Sequence, residues 1–61
     1  MIVVDGKKRK LKFKGKVIDL LRKLGISSQI VIVRKNGKIV TEMDEVSDKD
    51  LVEIITVVFG G

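Results

Sequence analysis

Short stretches rich in apolar, β-branched residues, one of them alternating with lysines, predict the strands of this chain. Residues 1–5 predict a short first strand, and Asp5-Gly6 is typical of a tight hairpin turn. Residues 8–14 predict a second strand that Gly15 ends, with lysines on one face and apolar side chains on the other.

A different spacing appears in residues 17–24. Apolar side chains fill the i, i+3, i+4 and i+7 positions of an amphipathic helix, at Val17, Leu20, Leu21 and Leu24. Gly25 follows at the position of a helix-ending glycine, whereas the residues before the helix offer no good side-chain cap. A helix of this length has to be held by packing against the rest of the domain.

Three more strands are predicted after the helix. Residues 30–34 and 39–41 flank Asn36-Gly37, the strongest short signal for a hairpin. An acidic connection of unassigned form covers residues 42–47, and residues 51–58 predict the longest strand. The order of elements predicts an α+β fold, in which a mixed sheet of four to five strands carries one helix across one face.

Composition excludes most kinds of chemistry. The 61 residues make one domain at most, and they include no Cys and no His. The chain therefore lacks a catalytic thiol, a thiolate metal site and the commonest general base, and we expect neither an enzyme nor a holder of metal or cofactor. No apolar run approaches the roughly 18 residues of a membrane span, and no signal peptide is visible. We expect a cytoplasmic protein with no membrane partner.

Positive charge is concentrated near the amino terminus. The chain carries a net charge of +5, and residues 7–16 hold seven of its 13 Lys and Arg residues. Such a run suits nucleic acid or an acidic protein as a partner. It also suits an edge strand whose lysines discourage pairing with other molecules, and we favour this second interpretation.

The chain ends in Phe59-Gly60-Gly61, directly after the last predicted strand. Two residues without Cβ form a thin thread that fits a narrow channel and lets another backbone approach closely. The reactive group of this end is the α-carboxylate of Gly61. We predict a folded domain over residues 1–58 and a flexible tail over residues 59–61.

These stretches together resemble the ThiS/MoaD family of ubiquitin-like sulfur carriers, which have the β-grasp fold. The resemblance is carried by the helix and its glycine (residues 17–25), the hairpin (residues 31–40), the entry to the last strand (residues 48–54) and Gly60-Gly61. The short length is similar to that of the thiamine-pathway members. The basic second strand, Phe59 before the glycines and the lack of Pro depart from the usual family pattern.

The resemblance implies a carrier that other proteins act upon. An adenylating enzyme of the ubiquitin-activating type would join the Gly61 carboxylate to AMP, using ATP and Mg²⁺ held by that enzyme. A sulfurtransferase or cysteine desulfurase would then convert the end into a thiocarboxylate. An acceptor synthase subunit would use the sulfur for the thiazole of thiamine or for molybdopterin, or the sulfur would pass to a tRNA base.

Strand parity and the β-grasp pattern divide the apolar residues between two faces of the sheet. The residues predicted to pack under the helix are Ile2, Val4, Val17, Leu21, Val31, Val33, Val52 and Ile54. The residues predicted on the opposite, open face, as a docking surface for the partner, are Val3, Ile32, Arg34, Ile55 and Val57. Loops or a second copy would be the alternative cover for that face, and a one-residue slip would exchange the two sets.

Three other functions also fit this sequence. A ubiquitin-like modifier would link Gly61 to a lysine of a target through the same adenylate. A small nucleic-acid-binding module would use residues 7–16, but the chain has two Phe and no Tyr or Trp for base stacking, so we expect no nucleic acid partner. An adaptor would leave the Gly-Gly end idle.

Overall fold

The computed structural model describes residues 1–57, which form seven short strands and one α-helix. The elements in chain order are β1 (Ile2–Val4), β2 (Lys7–Arg9), β3 (Lys14–Lys16), α1 (Val17–Leu24), a short 3₁₀ helix (Ser28–Ile30), β4 (Val31–Lys35), β5 (Lys38–Val40), β6 (Glu45–Ser47) and β7 (Val52–Thr56). The predicted end of the last strand at Val58 and the predicted tail lie outside the described residues.

Five of the strands form one mixed sheet in the order β2-β1-β7-β4-β5. The central strand β7 runs parallel to β1 and antiparallel to β4, and the two outer pairs are antiparallel hairpins. A parallel pair needs a long connection, and the chain between β1 and β7 contains α1, which packs across one face. This arrangement confirms the predicted α+β fold of the β-grasp type.

The hydrophobic core lies between α1 and one face of the sheet. Its buried side chains are Ile2, Val17, Leu20, Leu21, Val33, Val46, Val52 and Ile54. Six of the eight residues predicted for the core are in this set, and the other two, Val4 and Val31, are half-buried and pack against it. The predicted parity is therefore confirmed for β1, β4 and β7.

The predicted turns and the predicted end of the helix are confirmed by the backbone. Asp5 and Asn36 have φ of 48° and 51°, and each is followed by a glycine with positive φ, as two-residue hairpin turns require. Gly25 ends α1 with φ of 72°. The start of α1 has no side-chain cap, and the carbonyls of Asp44 and Glu42 accept hydrogen bonds of 2.9 Å from its first two N–H groups instead.

The predicted second strand is wrong. Residues 8–14 do not form one strand, because β2 ends at Arg9 and β3 pairs with β6 in a separate two-stranded ladder. The physical reason is that Leu11 and Phe13 pack against the core, so the chain leaves the sheet edge between the two strands. Gly15 lies within β3, opposite Val46, and a Cβ there would meet Cζ of Phe13 at 3.2 Å.

Candidate functional site

The central strand β7 leads towards the end of the chain that carries the predicted reactive carboxylate. Just after β7, the N–H of Val57 donates to the carbonyl of Ile30 at 2.7 Å. On the opposite side, the N–H of Thr56 donates to Oδ1 of Asp5 and the hydroxyl of Thr56 donates to Oδ2, both at 2.7 Å. The last described part of the chain is therefore held from both sides of β7.

The Asp5 carboxylate is ionised in this arrangement. The N–H of Thr56, and after it the Thr56 hydroxyl, hold the pKa of Asp5 below its ordinary value, because both donate to the charged form. The predicted site residues Phe59, Gly60 and Gly61 lie outside the described residues, and their roles stay predictions.

The open face of the sheet is set by the register of the three central strands. Val3 lies opposite Glu53 across the β1–β7 pair, and across β7–β4 Glu53 lies opposite Arg34 and Ile55 opposite Ile32. Paired residues project from the same face of a sheet, and the residues that alternate with these five are turned towards the core. The structure thus brings Val3, Ile32, Arg34 and Ile55 together on the face away from α1.

Two isoleucines of the open face pair directly, near the end of β7. Ile32 is 40% exposed and its partner Ile55 is 37% exposed. Val57, the fifth residue predicted here, is half-buried just beyond β7. The two isoleucines therefore form a small exposed apolar patch on the open face.

An ion pair lies in the middle of the open face. Nη2 of Arg34 is 3.1 Å from Oε2 of Glu53, and Nε of Arg34 is buried with no hydrogen-bond partner among the described residues. Exposed pairs of this kind contribute little to folding. The pair therefore gives the surface a polar centre beside its two isoleucines.

Sequence reasoning missed two residues of the open face. Glu53 lies opposite Arg34, and this contact depends on a register between strands that local sequence does not encode. Ile39, which is 72% exposed, also lies opposite Arg34. The sequence does predict the position of Ile39, because a two-residue turn at Asn36-Gly37 fixes the register of the hairpin and so places Ile39 opposite Arg34.

The basic run is exposed but does not form one strand face. β2 is the edge strand of the larger sheet, and all three of its residues are exposed. Lys14 and Lys16 lie in the other ladder. None of the seven cations of residues 7–16 forms an ion pair with another residue of the described chain. The run is therefore divided between the two ladders and the residues that connect them.

The described part of the chain offers no cluster of metal ligands. Within residues 1–57, no three side chains of the His, Cys, Asp and Glu types are grouped so that they could hold a metal ion. None of the helical segments in these residues has the length and hydropathy of a membrane span.

Comparison with known proteins gives matches over almost the whole chain. The model of the ThiS family matches residues 2–61. The crystal structure of the thiamine biosynthesis protein (ThiS) from Geobacter metallireducens is similar, with a TM-score of 0.67 and 27% identity, covering 98% of this chain and 96% of that one. An NMR solution structure of a thiamine biosynthesis protein from Geobacter metallireducens gives a TM-score of 0.63 and 28% identity, covering 98% and 86%.

Proposed function

This chain belongs to the ThiS family, and from that premise we propose that it is a sulfur carrier of thiamine biosynthesis, with the sulfur held as a thiocarboxylate on Gly61. The observation that carries the proposal is the family match, which extends to the last residue of the chain. The position of β7 supports it, since the strand that leads to Gly61 lies in the middle of the sheet.

The chemistry requires a second protein. A carboxylate is a poor electrophile, and the chain contains no Cys and no His with which to activate it. An adenylating enzyme of the ubiquitin-activating type supplies ATP and Mg²⁺. A carboxylate oxygen of Gly61 attacks the α-phosphorus of ATP, pyrophosphate leaves, and an acyl adenylate forms. Gly61 is thus the reacting residue, and the chain is a co-substrate of that enzyme.

Sulfur then replaces AMP. A sulfur nucleophile supplied by a sulfurtransferase or cysteine desulfurase attacks the carbonyl carbon of Gly61, and AMP leaves with its phosphate oxygen. When the donor holds its sulfur as a persulfide, a thiol reduces it, which releases hydrosulfide and leaves a disulfide. The acyl adenylate and HS⁻ then give the thiocarboxylate, AMP and a proton. The thiocarboxylate passes its sulfur to an acceptor synthase that forms the thiazole of thiamine. Because activation consumes ATP, we propose the cytoplasm as its location.

The fold suits a carrier whose end reaches into another protein. Thr56 is held by Asp5, and five residues follow it, the last of which is Gly61. An extended segment of five residues spans at most about 17 Å. The carboxylate can therefore enter a narrow site while the folded domain stays at the surface of the partner.

We propose the open face as the surface that the adenylating enzyme covers. Ile32 and Ile55 are the apolar contacts, and the Arg34–Glu53 pair is the polar centre. This face borders the end of β7 from which the reactive segment leaves. A partner bound here would hold the domain close to the point that the Gly61 carboxylate has to reach.

Mass spectrometry of the intact protein and of its C-terminal peptide tests the proposal. The chain is incubated with ATP, a sulfur source and the activating enzyme of its own organism. We expect one oxygen replaced by sulfur at Gly61, and no such change in a chain that lacks Gly60-Gly61. Fragmentation is needed because oxidation of Met1 or Met43 adds nearly the same mass. An unmodified end would overturn the proposal, and lysine-linked conjugates without sulfur would favour the modifier function.

A further inference from the structure

The Asp5 side chain continues a hydrogen-bond ladder that the backbone leaves incomplete. Along the parallel pair β1–β7, the N–H of Val52 donates to the carbonyl of Met1 at 2.8 Å, and the N–H of Asp5 donates to the carbonyl of Ile54 at 2.9 Å. The next N–H of β7 on this side belongs to Thr56. It donates to the carboxylate of Asp5 at 2.7 Å, because β1 has ended and the chain turns back at Asp5-Gly6.

The second oxygen of the same carboxylate fixes the contact further. Oδ2 accepts from the hydroxyl of Thr56 at 2.7 Å, so one carboxylate takes both donors of one residue. Hydrogen bonds to an ionised acceptor are stronger than those between neutral groups. Asp5 and Thr56 are 51 residues apart in the chain, and their contact ties the first hairpin to the end of β7. We call this contact the Asp5–Thr56 clamp.

The hairpin turn alone does not account for a carboxylate at this position. Asn-Gly forms the same two-residue turn as Asp-Gly, and the chain uses it at Asn36-Gly37, where Asn36 has nearly the same φ as Asp5. Asp5 is exposed and lies outside the hydrophobic core. Its carboxylate has two acceptor oxygens that match the N–H and O–H of Thr56.

We propose that Asp5 is a positioning residue for the reaction at Gly61: the Asp5–Thr56 clamp fixes the point from which the C-terminal segment leaves the sheet. This inference rests on the proposed function. Together with the hydrogen bond from the N–H of Val57 to the carbonyl of Ile30, the clamp fixes the direction in which the chain leaves β7, and a fixed direction favours entry of the Gly61 carboxylate into the partner's site. Neither Asp5 nor Thr56 is one of the residues proposed for docking, so we expect the clamp to act on the reaction step and not on docking.

The size of the effect follows from the two contacts that hold the end of β7. The Asp5–Thr56 clamp holds the β1 side, and the N–H of Val57, which donates to the carbonyl of Ile30 at 2.7 Å, holds the β4 side. Without the clamp the contact on the β4 side remains, so the chain loses one of the two contacts that fix its direction at the end of β7. Because a small loss of orientation lowers the rate of a step between positioned groups, we expect kcat to fall at least about twofold, with KM unchanged.

The test uses ATP–pyrophosphate exchange with the activating enzyme of the same organism, measured for three variants. Asp5→Gly keeps a turn-forming residue and removes the clamp, Asp5→Asn keeps one acceptor oxygen, and Thr56→Val removes the hydroxyl. We expect the largest fall in kcat for Asp5→Gly, a smaller fall for Thr56→Val, and substantial rescue by Asp5→Asn. Unchanged kcat in Asp5→Gly, or a rise in KM alone, would overturn the inference.

The chain offers a matched control at the other end of β7. Asn36 also has positive φ in a two-residue turn, and its Oδ1 accepts from the N–H of Leu51 at 3.0 Å, just before β7 begins. Asn36→Gly therefore removes a comparable side-chain contact far from the reactive end. We expect Asn36→Gly to lower the urea midpoint of unfolding about as much as Asp5→Gly does, while kcat stays at the wild-type value. A fall in kcat in both variants would mean that the effect is one of stability.

Amide hydrogen exchange separates failure of this inference from failure of the proposed function. If the wild-type chain is not adenylated, the proposed function is wrong. The clamp is still measurable, because Asp5→Gly then speeds exchange at Thr56 and Val57 and Asn36→Gly does not. Equal exchange at these two amides in the wild type and in Asp5→Gly would show that the clamp does not hold the end of β7.

Discussion

Ile54 and Ile55 are neighbours on β7, and their side chains project from opposite faces of the sheet. Ile54 is 1% exposed in the core, whereas Ile55 is 37% exposed on the open face opposite Ile32. Replacing each with Ala removes the same atoms from the same strand. We predict that Ile54→Ala weakens the fold and that Ile55→Ala weakens binding to the activating enzyme.

The magnitudes follow from these exposures. Burying a whole Ile side chain stabilises by about 1.5–3 kcal/mol, so covering the exposed 37% of Ile55 contributes about 0.6–1.1 kcal/mol, or about three- to sixfold in Kd. Ile54→Ala removes fully buried atoms and costs about 2–5 kcal/mol. A chain of 61 residues has a free energy of unfolding of about 3–9 kcal/mol, so Ile54→Ala removes a large part of it.

Two measurements on each variant check the prediction. Isothermal titration with the activating enzyme gives Kd, and urea unfolding followed by circular dichroism gives the free energy of unfolding. Ile55→Ala should raise Kd and keep a urea midpoint near that of the wild type. Ile54→Ala should lower the urea midpoint, and the molecules of this variant that are folded should bind with a Kd near that of the wild type. Wild-type affinity in Ile55→Ala would refute the proposed docking surface.

A charged variant of the open face separates loss of binding from loss of folding with a larger expected effect. Ile32→Asp places a carboxylate in the proposed interface, where burial without a partner charge is costly, and we expect binding to be lost. The domain should still unfold cooperatively, because Ile32 is already 40% exposed. Unfolding of this variant in buffer would mean that Ile32 contributes to the core.

Two further predictions concern stability. Val46→Ala should lower the free energy of unfolding by about 2 kcal/mol, since Val46 is buried in the core. Urea titration measures this loss, with Val40→Ala as a control at a half-buried position. Equal losses of free energy in the two variants would contradict the prediction. Acid should destabilise the fold, because the N–H of Phe13 holds the pKa of Asp48 low and the N–H of Ser47 does the same for Asp50. A lowered folded pKa gives stability that is complete above the unfolded value of about 3.9 and is lost as the pH falls through the folded value. The urea midpoint, measured from about pH 6 down to about pH 2, should decrease within that window, and it should decrease less steeply in Asp48→Asn. A urea midpoint that does not change with pH would be evidence against the Asp48 contact.

The elements that depend on near neighbours could be predicted from the sequence. The helix over residues 17–24 follows from the spacing of its leucines and from Gly25, which takes the left-handed conformation that ends a helix. Asp5-Gly6 and Asn36-Gly37 predicted both turns, because few other residue pairs adopt positive φ twice in succession. Strand parity predicted which residues face the core, since side chains alternate along a strand.

The sequence by itself therefore determined the helix, the turns and the two faces of the sheet, all of which follow from contacts within a few residues. Tertiary structure decided the rest. Val46 lies in the core because β6 pairs with β3, which is distant in the sequence. The predicted second strand is interrupted because Leu11 and Phe13 pack against that core. The Arg34–Glu53 pair and the Asp5–Thr56 clamp join residues 19 and 51 positions apart. Such contacts depend on which strands become neighbours and in which register, and no local pattern in the chain encodes that choice.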